Sequence, residues 1–131
     1  MRISSVVLVL LLLAISIPGC NNATPTVRGD ASKYASLKGD ATKGKDKFIG
    51  SCSTCHGHEA RGLPGLGKDL TSSAFAKNLS DAELILFVTR GRAVSDPANT
   101  SKVDMPPKGG NPVLGDQDIA DIVAYQRTLQ K

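Results

Sequence analysis

Two cysteines two residues apart, with a histidine directly after the second, constrain this chain more than any other feature: Cys52-Ser53-Thr54-Cys55-His56. A structural zinc site needs four protein ligands in a relaxed tetrahedron. Only Cys52, Cys55, His56 and His58 are at hand, and they are too crowded along the chain. A thioredoxin-type redox pair belongs to a βαβ context, which is absent. A plain Cys52–Cys55 disulfide is the third alternative. The spacing fits best the covalent attachment of one haem c. Each thiol adds to one vinyl group and forms a thioether, and the two-residue gap lets both sulfurs reach neighbouring edges of one porphyrin. His56 is then placed to bind iron from the proximal side.

The remaining cysteine belongs to the amino terminus. Arg2 precedes an apolar run from Ile3 to Ile17, followed by Pro18-Gly19-Cys20 and the polar Asn21-Asn22. A basic start, a short apolar stretch and a small residue before the cut read as a secretory signal over residues 1 to 19. The run is short for a membrane span, which takes about 20 apolar residues. Ile17-Pro18-Gly19-Cys20 resembles the lipobox of bacterial lipoproteins, which implies lipidation of Cys20 and a place in the periplasm or on the extracytoplasmic membrane surface. Cleavage without lipid and retention of the segment as an anchor are the competing readings, and all three put the rest of the chain outside the cytoplasm. Residues 20 to 39 are polar and rich in Asn, Thr, Ser and Gly. They are expected to form a linker, and as a flexible coil they would span roughly 25 Å.

Residues 40 to 131 are expected to fold as one domain. Only 4% of the chain is aromatic, and Trp is absent. So small a chain with so few rings buries little apolar surface unaided, and a buried haem would supply bulk. The net charge of +4 is spread along the sequence with no run of like charges, which gives no sign of a nucleic-acid partner.

Three segments carry helical spacing. The first runs over about 41–50, with Asp40 as N-cap and Gly44, Phe48 and Ile49 inward. Gly44 weakens a helix, so it points to close backbone approach. The second, about 81–89, opens on the capping box Ser80-Asp81-Ala82-Glu83, presents Leu84, Ile85, Phe87 and Val88, and stops at Gly91. The third, about 116–129, aligns Ile119, Ile122, Val123 and Leu129, with Tyr125 beside them. A short helical turn is expected near Ser72 to Lys77. No segment alternates as a strand. The fold class is therefore all-α, with three to four helices and long loops.

Between Gly91 and Leu114 lies a long connection rich in Pro, Gly, Asn and Ser, which in compact domains is functional or disordered. It contains Met105, the one methionine besides Met1. Pro106 and Pro107 follow and stiffen the backbone. A thioether is a weak neutral ligand that must be held in place, so Met105 is the candidate sixth iron ligand; the bland alternative is a core filler. His58 lies too close to His56 to reach the other haem face and is read as a surface residue.

These residues together resemble the bacterial class I cytochromes c, over about residues 40 to 131. Gly44 and Phe48 match the family's first helix, and Ile122 and Tyr125 match its last; in the family the two helices cross at the glycine. Cys52, Cys55 and His56 match the attachment motif and Met105 the distal ligand. The resemblance implies a small cytochrome c-like fold around one covalent haem. Relatives often carry Gly-Pro-x-Leu after the motif, with the proline carbonyl accepting from the proximal histidine. Here Gly67-Lys68-Asp69-Leu70 puts Lys68 in that place, and either its carbonyl or that of Pro64 takes the role. Lys68 is also an alternative iron ligand, and Arg90 or Arg92 a partner for a haem propionate.

Met/His ligation closes both faces of the iron and raises its potential. The expected function is one-electron transfer between redox protein partners rather than enzymatic catalysis. The alternatives are a haem enzyme or sensor with a displaceable distal ligand, and a fixed subunit of a larger respiratory complex.

Overall fold

Each long helix starts where the sequence offers its unpaired backbone amides a partner. The computed structural model describes residues 27 and 29 to 131; the export segment and Cys20 lie outside the described residues. Helix α1 (Ala41–Ser51) follows Asp40, whose carboxylate accepts from the Thr42 and Lys43 amides. Helices α2 (Ser53–His56) and α3 (Ala74–Asn78) are short. Helix α4 (Asp81–Arg90) opens on the reciprocal Ser80–Glu83 box and ends at Gly91. In α5 (Asp116–Leu129) the Asp118 carboxylate accepts the Gly115 amide at 2.8 Å. Short 3-10 turns span Ser32–Tyr34 and Pro107–Gly110. The described residues contain no named strand, only an isolated antiparallel bridge between Arg92 and Met105.

The three expected long helices and the short turn that is α3 are all present. Helix α2, the cysteine motif itself, adds one. Its four residues are too few to show a period; Ser53 Oγ holds it by donating to the Ile49 carbonyl at 2.6 Å.

Helices α1 and α5 cross backbone to backbone at Gly44. A side chain there would collide with the carbonyl of Asp121, and one at Gly39 with that of Ala120. This contact confirms why a helix-weakening glycine sits in α1. Phe48 lies beside the crossing, 1% exposed, with its ring edge-on to Tyr125 at 5.5 Å and 61°, a geometry worth about 0.5–1.5 kcal/mol beyond burial. Ile85, Ile119, Ile122 and Val123 complete the core, while Ile49 is only half-buried.

Residues 31 to 39 depart from the expected linker, because they pack onto the domain. Tyr34 is 2% exposed inside the core. One tyrosine in a polar stretch makes no periodic signal, yet its ring buries enough apolar area to fix the chain around it.

Two charged side chains lock α5. Asp121, 2% exposed, accepts from Lys47 Nζ at 2.7 Å, from the Asp40 amide at 2.9 Å and from Gln117 at 3.0 Å. Arg127 gives hydrogen bonds to the Ala76 and Leu79 carbonyls and to Asp81, fastening the end of α5 to the α3–α4 junction.

Burial by itself would raise the Asp121 carboxyl, but Lys47 and the two amide donors outweigh it and hold the pKa below 3.8. Lys47 is in turn raised by Asp121 and Asp118. The carboxylate's contribution is present above its unfolded pKa and lost as pH falls through the lower folded one. The ammonium's is present below about pH 10 and lost above its raised value. Asp121→Asn is expected to destabilise the holoprotein by about 1–3 kcal/mol near neutral pH. Thermal unfolding against pH should show the gap to wild type closing below about pH 4. Gly44→Val should cost about 1–3 kcal/mol or more by the same assay, because a backbone carbonyl cannot move aside as a side chain can.

Candidate functional site

The end of α1 delivers Cys52 directly into a cavity of about 730 Å³. That volume lies within the range of about 300–1,000 Å³ usual for small-molecule and cofactor sites. Phe48, Leu70, Phe75, Leu84, Phe87 and Val88 make its walls largely apolar, and Cys52, Cys55, His56 and Met105 all open onto it. Two thiols at one edge, an imidazole, a thioether and a broad apolar slot form a donor set that fits a covalently held haem. Among the described residues no group of three or more His, Cys, Asp or Glu gathers as a metal site, and Cys52 and Cys55 are unbridged. Burial, then the charge of Cys55, pushes the Cys52 thiol up to about 11.

His56 is held by backbone. Its Nδ1 lies 2.8 Å from the carbonyl oxygen of Lys68. In the tautomer that donates from Nδ1, the ring presents Nε2 to the cavity as a free lone pair. Pro64 does not share this role, since it is exposed on a turn and absent from the cavity wall. The turn explains why: the Leu66 and Gly67 amides both fold back to the Leu63 carbonyl, at 3.0 and 3.2 Å, and carry Pro64 outward. Lys68 reaches His56 because Gly67 lets the chain pass against the end of α2; a Cβ there would strike the Cys55 carbonyl and sit 3.0 Å from His56 Nδ1. Beyond it, Asp69 accepts from Thr71 and Ser72. The Thr71 hydroxyl is the main cause holding the Asp69 carboxyl down to about 2.

Met105 is clamped as well. Its amide donates to the Arg92 carbonyl and its carbonyl accepts from the Arg92 amide, both at 2.8 Å. Gly91, at φ +69°, makes room, because a Cβ there would meet the Met105 carbonyl. After the prolines, Gly109 lies against the Ser51 carbonyl and Asn111 donates to Ser51 Oγ at 3.1 Å. The methionine segment is therefore fastened on one side to the end of α4 and on the other to the end of α1, beside Cys52. The loop before it is ordered by Asn99, whose side chain binds Ala93, Ser101, Lys102 and Val103. The prolines are visible in the sequence; this bracing, which depends on residues distant from Met105, is not.

The two arginines part company. Arg92 lines the cavity, with its guanidinium over the rings of Phe75 and Phe87 at 4.5 and 4.7 Å. Arg90 lies outside it, against Gly29 and along a smaller cleft with Val27 and Asp96. Both arginines border that cleft, and Arg92 alone also reaches the larger cavity. His58 is exposed and off the cavity wall. Two wall residues escaped sequence reasoning: Phe75, which packs edge to face on Phe87 at 5.0 Å, and Gln126, on the buried side of α5. Gln126 was detectable as a polar residue four after Ile122 on an apolar helix face.

Comparison with known proteins points to one family. The family described as cytochrome c oxidase, cbb3-type, subunit III matches residues 39 to 125. Cytochrome c-555 of Prosthecochloris aestuarii is 31% identical over 98 residues, which cover 75% of this chain and 91% of that protein. A cytochrome c-553-like protein of Synechocystis is 30% identical over 120 residues, covering 92% and 94%. Among solved structures, cytochrome CL of Methylophaga aminisulfidivorans superposes with a TM-score of 0.52 at 27% identity; the match covers 69% of this chain and about half (53%) of that one. The chain belongs to the class I c-type cytochromes, small all-α proteins that hold haem c covalently and transfer electrons with it.

Proposed function

We propose that this cytochrome carries single electrons, with His56 and Met105 as the two axial ligands of its haem iron. The observation that carries the reading is the double hydrogen bond between Met105 and Arg92 at 2.8 Å, in a segment that opens onto the same cavity as His56. A thioether binds iron weakly, so its backbone has to be positioned before it binds. Reciprocal pairing, two prolines and the Ser51 contact supply that positioning. When bound, the haem supplies a reversible ferric–ferrous couple. The protein's own part is to orient His56 through the Lys68 carbonyl, hold the Met105 sulfur in reach and keep water off the ring with Phe75, Phe87 and Leu84. Arg92 is the better placed of the two arginines to pair with a propionate.

A haem enzyme or sensor needs a distal ligand that leaves easily, and the bracing of Met105 argues against that. A fixed place in a respiratory complex is the second reading, prompted by the oxidase subunit whose family the chain matches. The near full-length match to small cytochromes favours a carrier that works as its own unit. We place it on the outer face of a bacterial membrane, held by a lipid on Cys20. Among the described residues no helix is long and apolar enough to cross a membrane. If lipidated, Cys20 would leave a short tether, because the chain is already packed on the domain by about residue 31.

Intact-mass measurement of the membrane-extracted protein is expected to show one haem and acyl chains on a chain beginning at Cys20; a mass without acyl chains removes the lipid anchor. Met105→Ala should lower the potential, abolish the far-red band of the ferric Met–iron bond and let carbon monoxide bind the ferrous form. An unchanged spectrum rejects Met105 as ligand. Lys68→Pro should leave spectrum and potential unaltered, since the carbonyl that accepts from His56 is retained; a large shift would mean that the Lys68 side chain acts at the iron.

A further inference from the structure

The oxygen that orients His56 belongs to Lys68, which has no ring to fix its own φ as a proline has. Something else has to hold that oxygen still. A peptide group is planar, so the Lys68 oxygen swings only if the Lys68–Asp69 peptide turns about its two flanking α-carbons. Asp69, which carries one of them, is tied down. Its Oδ1 accepts from the Thr71 amide at 2.8 Å, the Thr71 hydroxyl at 2.7 Å and the Ser72 amide at 3.4 Å, and its Oδ2 from the Ser72 hydroxyl at 2.9 Å. Thr71 is buried, and its carbonyl accepts the Lys131 amide at 3.0 Å, beyond the end of α5. The Leu70 amide donates to the Ala60 carbonyl at 2.7 Å. Gly62 backs the peptide itself: a Cβ there would lie 2.8 Å from both the Asp69 nitrogen and the Lys68 carbonyl carbon. The carboxylate of Asp69 thus joins the peptide that faces His56 to a fixed part of the domain.

We infer that Asp69 is a positioning residue for the haem iron: it holds the Lys68 carbonyl on His56 Nδ1 and so sets the basicity of the imidazole and the potential of the couple. The inference rests on His56 as an axial ligand and not on Met105. A proton on Nδ1 shared with an oxygen at 2.8 Å makes Nε2 the stronger donor. A stronger donor favours ferric iron, and hydrogen bonding around the ligands is one of the protein's levers on haem potential. Loosening the Lys68 carbonyl therefore favours the reduced state.

Two substitutions in the holoprotein separate the hold from the charge. Asp69→Asn keeps an Oδ1 for three of the four bonds and removes the charge. Asp69→Glu keeps the charge and carries the carboxylate one methylene away from its donors. In Asp69→Glu, redox titration is expected to shift the couple toward the reduced form, by roughly threefold to tenfold in the reduced-to-oxidised ratio at fixed applied potential, where tenfold is 59 mV for one electron. The His56 Nδ1 proton, followed by NMR of the ferrous protein, should exchange with solvent faster. Asp69→Asn should keep the wild-type exchange rate and stay within about twofold in that ratio, because a solvated charge is screened. Thr71→Val removes one of the four bonds without touching the charge, and should move both readouts the same way by less; an unmoved exchange rate there contradicts the hold, whatever Asp69→Glu does to folding. Equal shifts in Asp69→Asn and Asp69→Glu would assign the effect to charge and overturn the inference. A lower melting temperature in Asp69→Glu with potential and exchange unchanged would overturn it too, leaving Asp69 a loop-shaping residue. In the ferric wild type, His56 ring protons unshifted by the iron would remove the axial ligand and this inference together, whereas shifted protons beside an unresponsive Asp69→Glu variant would remove this inference alone.

Discussion

The backbone crossing of α1 and α5 at Gly44 fixes where everything else can go. Because no side chain separates Gly44 from the Asp121 carbonyl, the two helices have one register and one depth. The end of α1 then points Cys52 at the cavity, and the same face of α5 that packs on Phe48 also lines the cavity with Ile122 and Gln126. Charge reinforces the steric fit. Lys47 on α1 reaches both Asp118 and Asp121 on α5, at 2.9 and 2.7 Å. Breaking a pair with one buried member leaves an uncompensated charge, so sliding one helix along the other is opposed electrostatically as well as by contact.

The cavity is framed by three further close approaches: Gly67 against Cys55, Gly91 against Met105 and Gly109 against Ser51. Each brings a loop and a helix end backbone to backbone beside Cys52, His56 or Met105. Irregular loops thereby hold His56 and Met105 with backbone hydrogen bonds, which are shorter-reaching and stiffer than contacts between flexible side chains. This arrangement suits electron transfer. A site whose donors stand in place before and after the change of oxidation state has little to reorganise.

Much of this was legible from the chain. The attachment motif, the three long helices, the Asp40 and Ser80 caps and the close approach at Gly44 all follow from local residue patterns, and local rules suffice for them. What was not legible depends on contacts distant in sequence. The choice of the Lys68 carbonyl over Pro64 is made by a turn at Leu63–Gly67. That Arg92 and not Arg90 reaches the cavity depends on the path of the chain past Gly91. Tyr34, placed with the linker by its polar neighbours, belongs to the core because its turn packs against α4. The clamp on Met105 comes from Arg92, thirteen residues away, through main-chain atoms that any side chain would share.

The proposed axial pair is the Met105 thioether and the His56 imidazole. X-ray absorption at the iron edge of the ferric holoprotein reads that ligand directly. The proposed ligation predicts a sulfur atom in the first coordination shell, lost in Met105→Ala. A first shell of nitrogen and oxygen alone in the wild-type protein would contradict it.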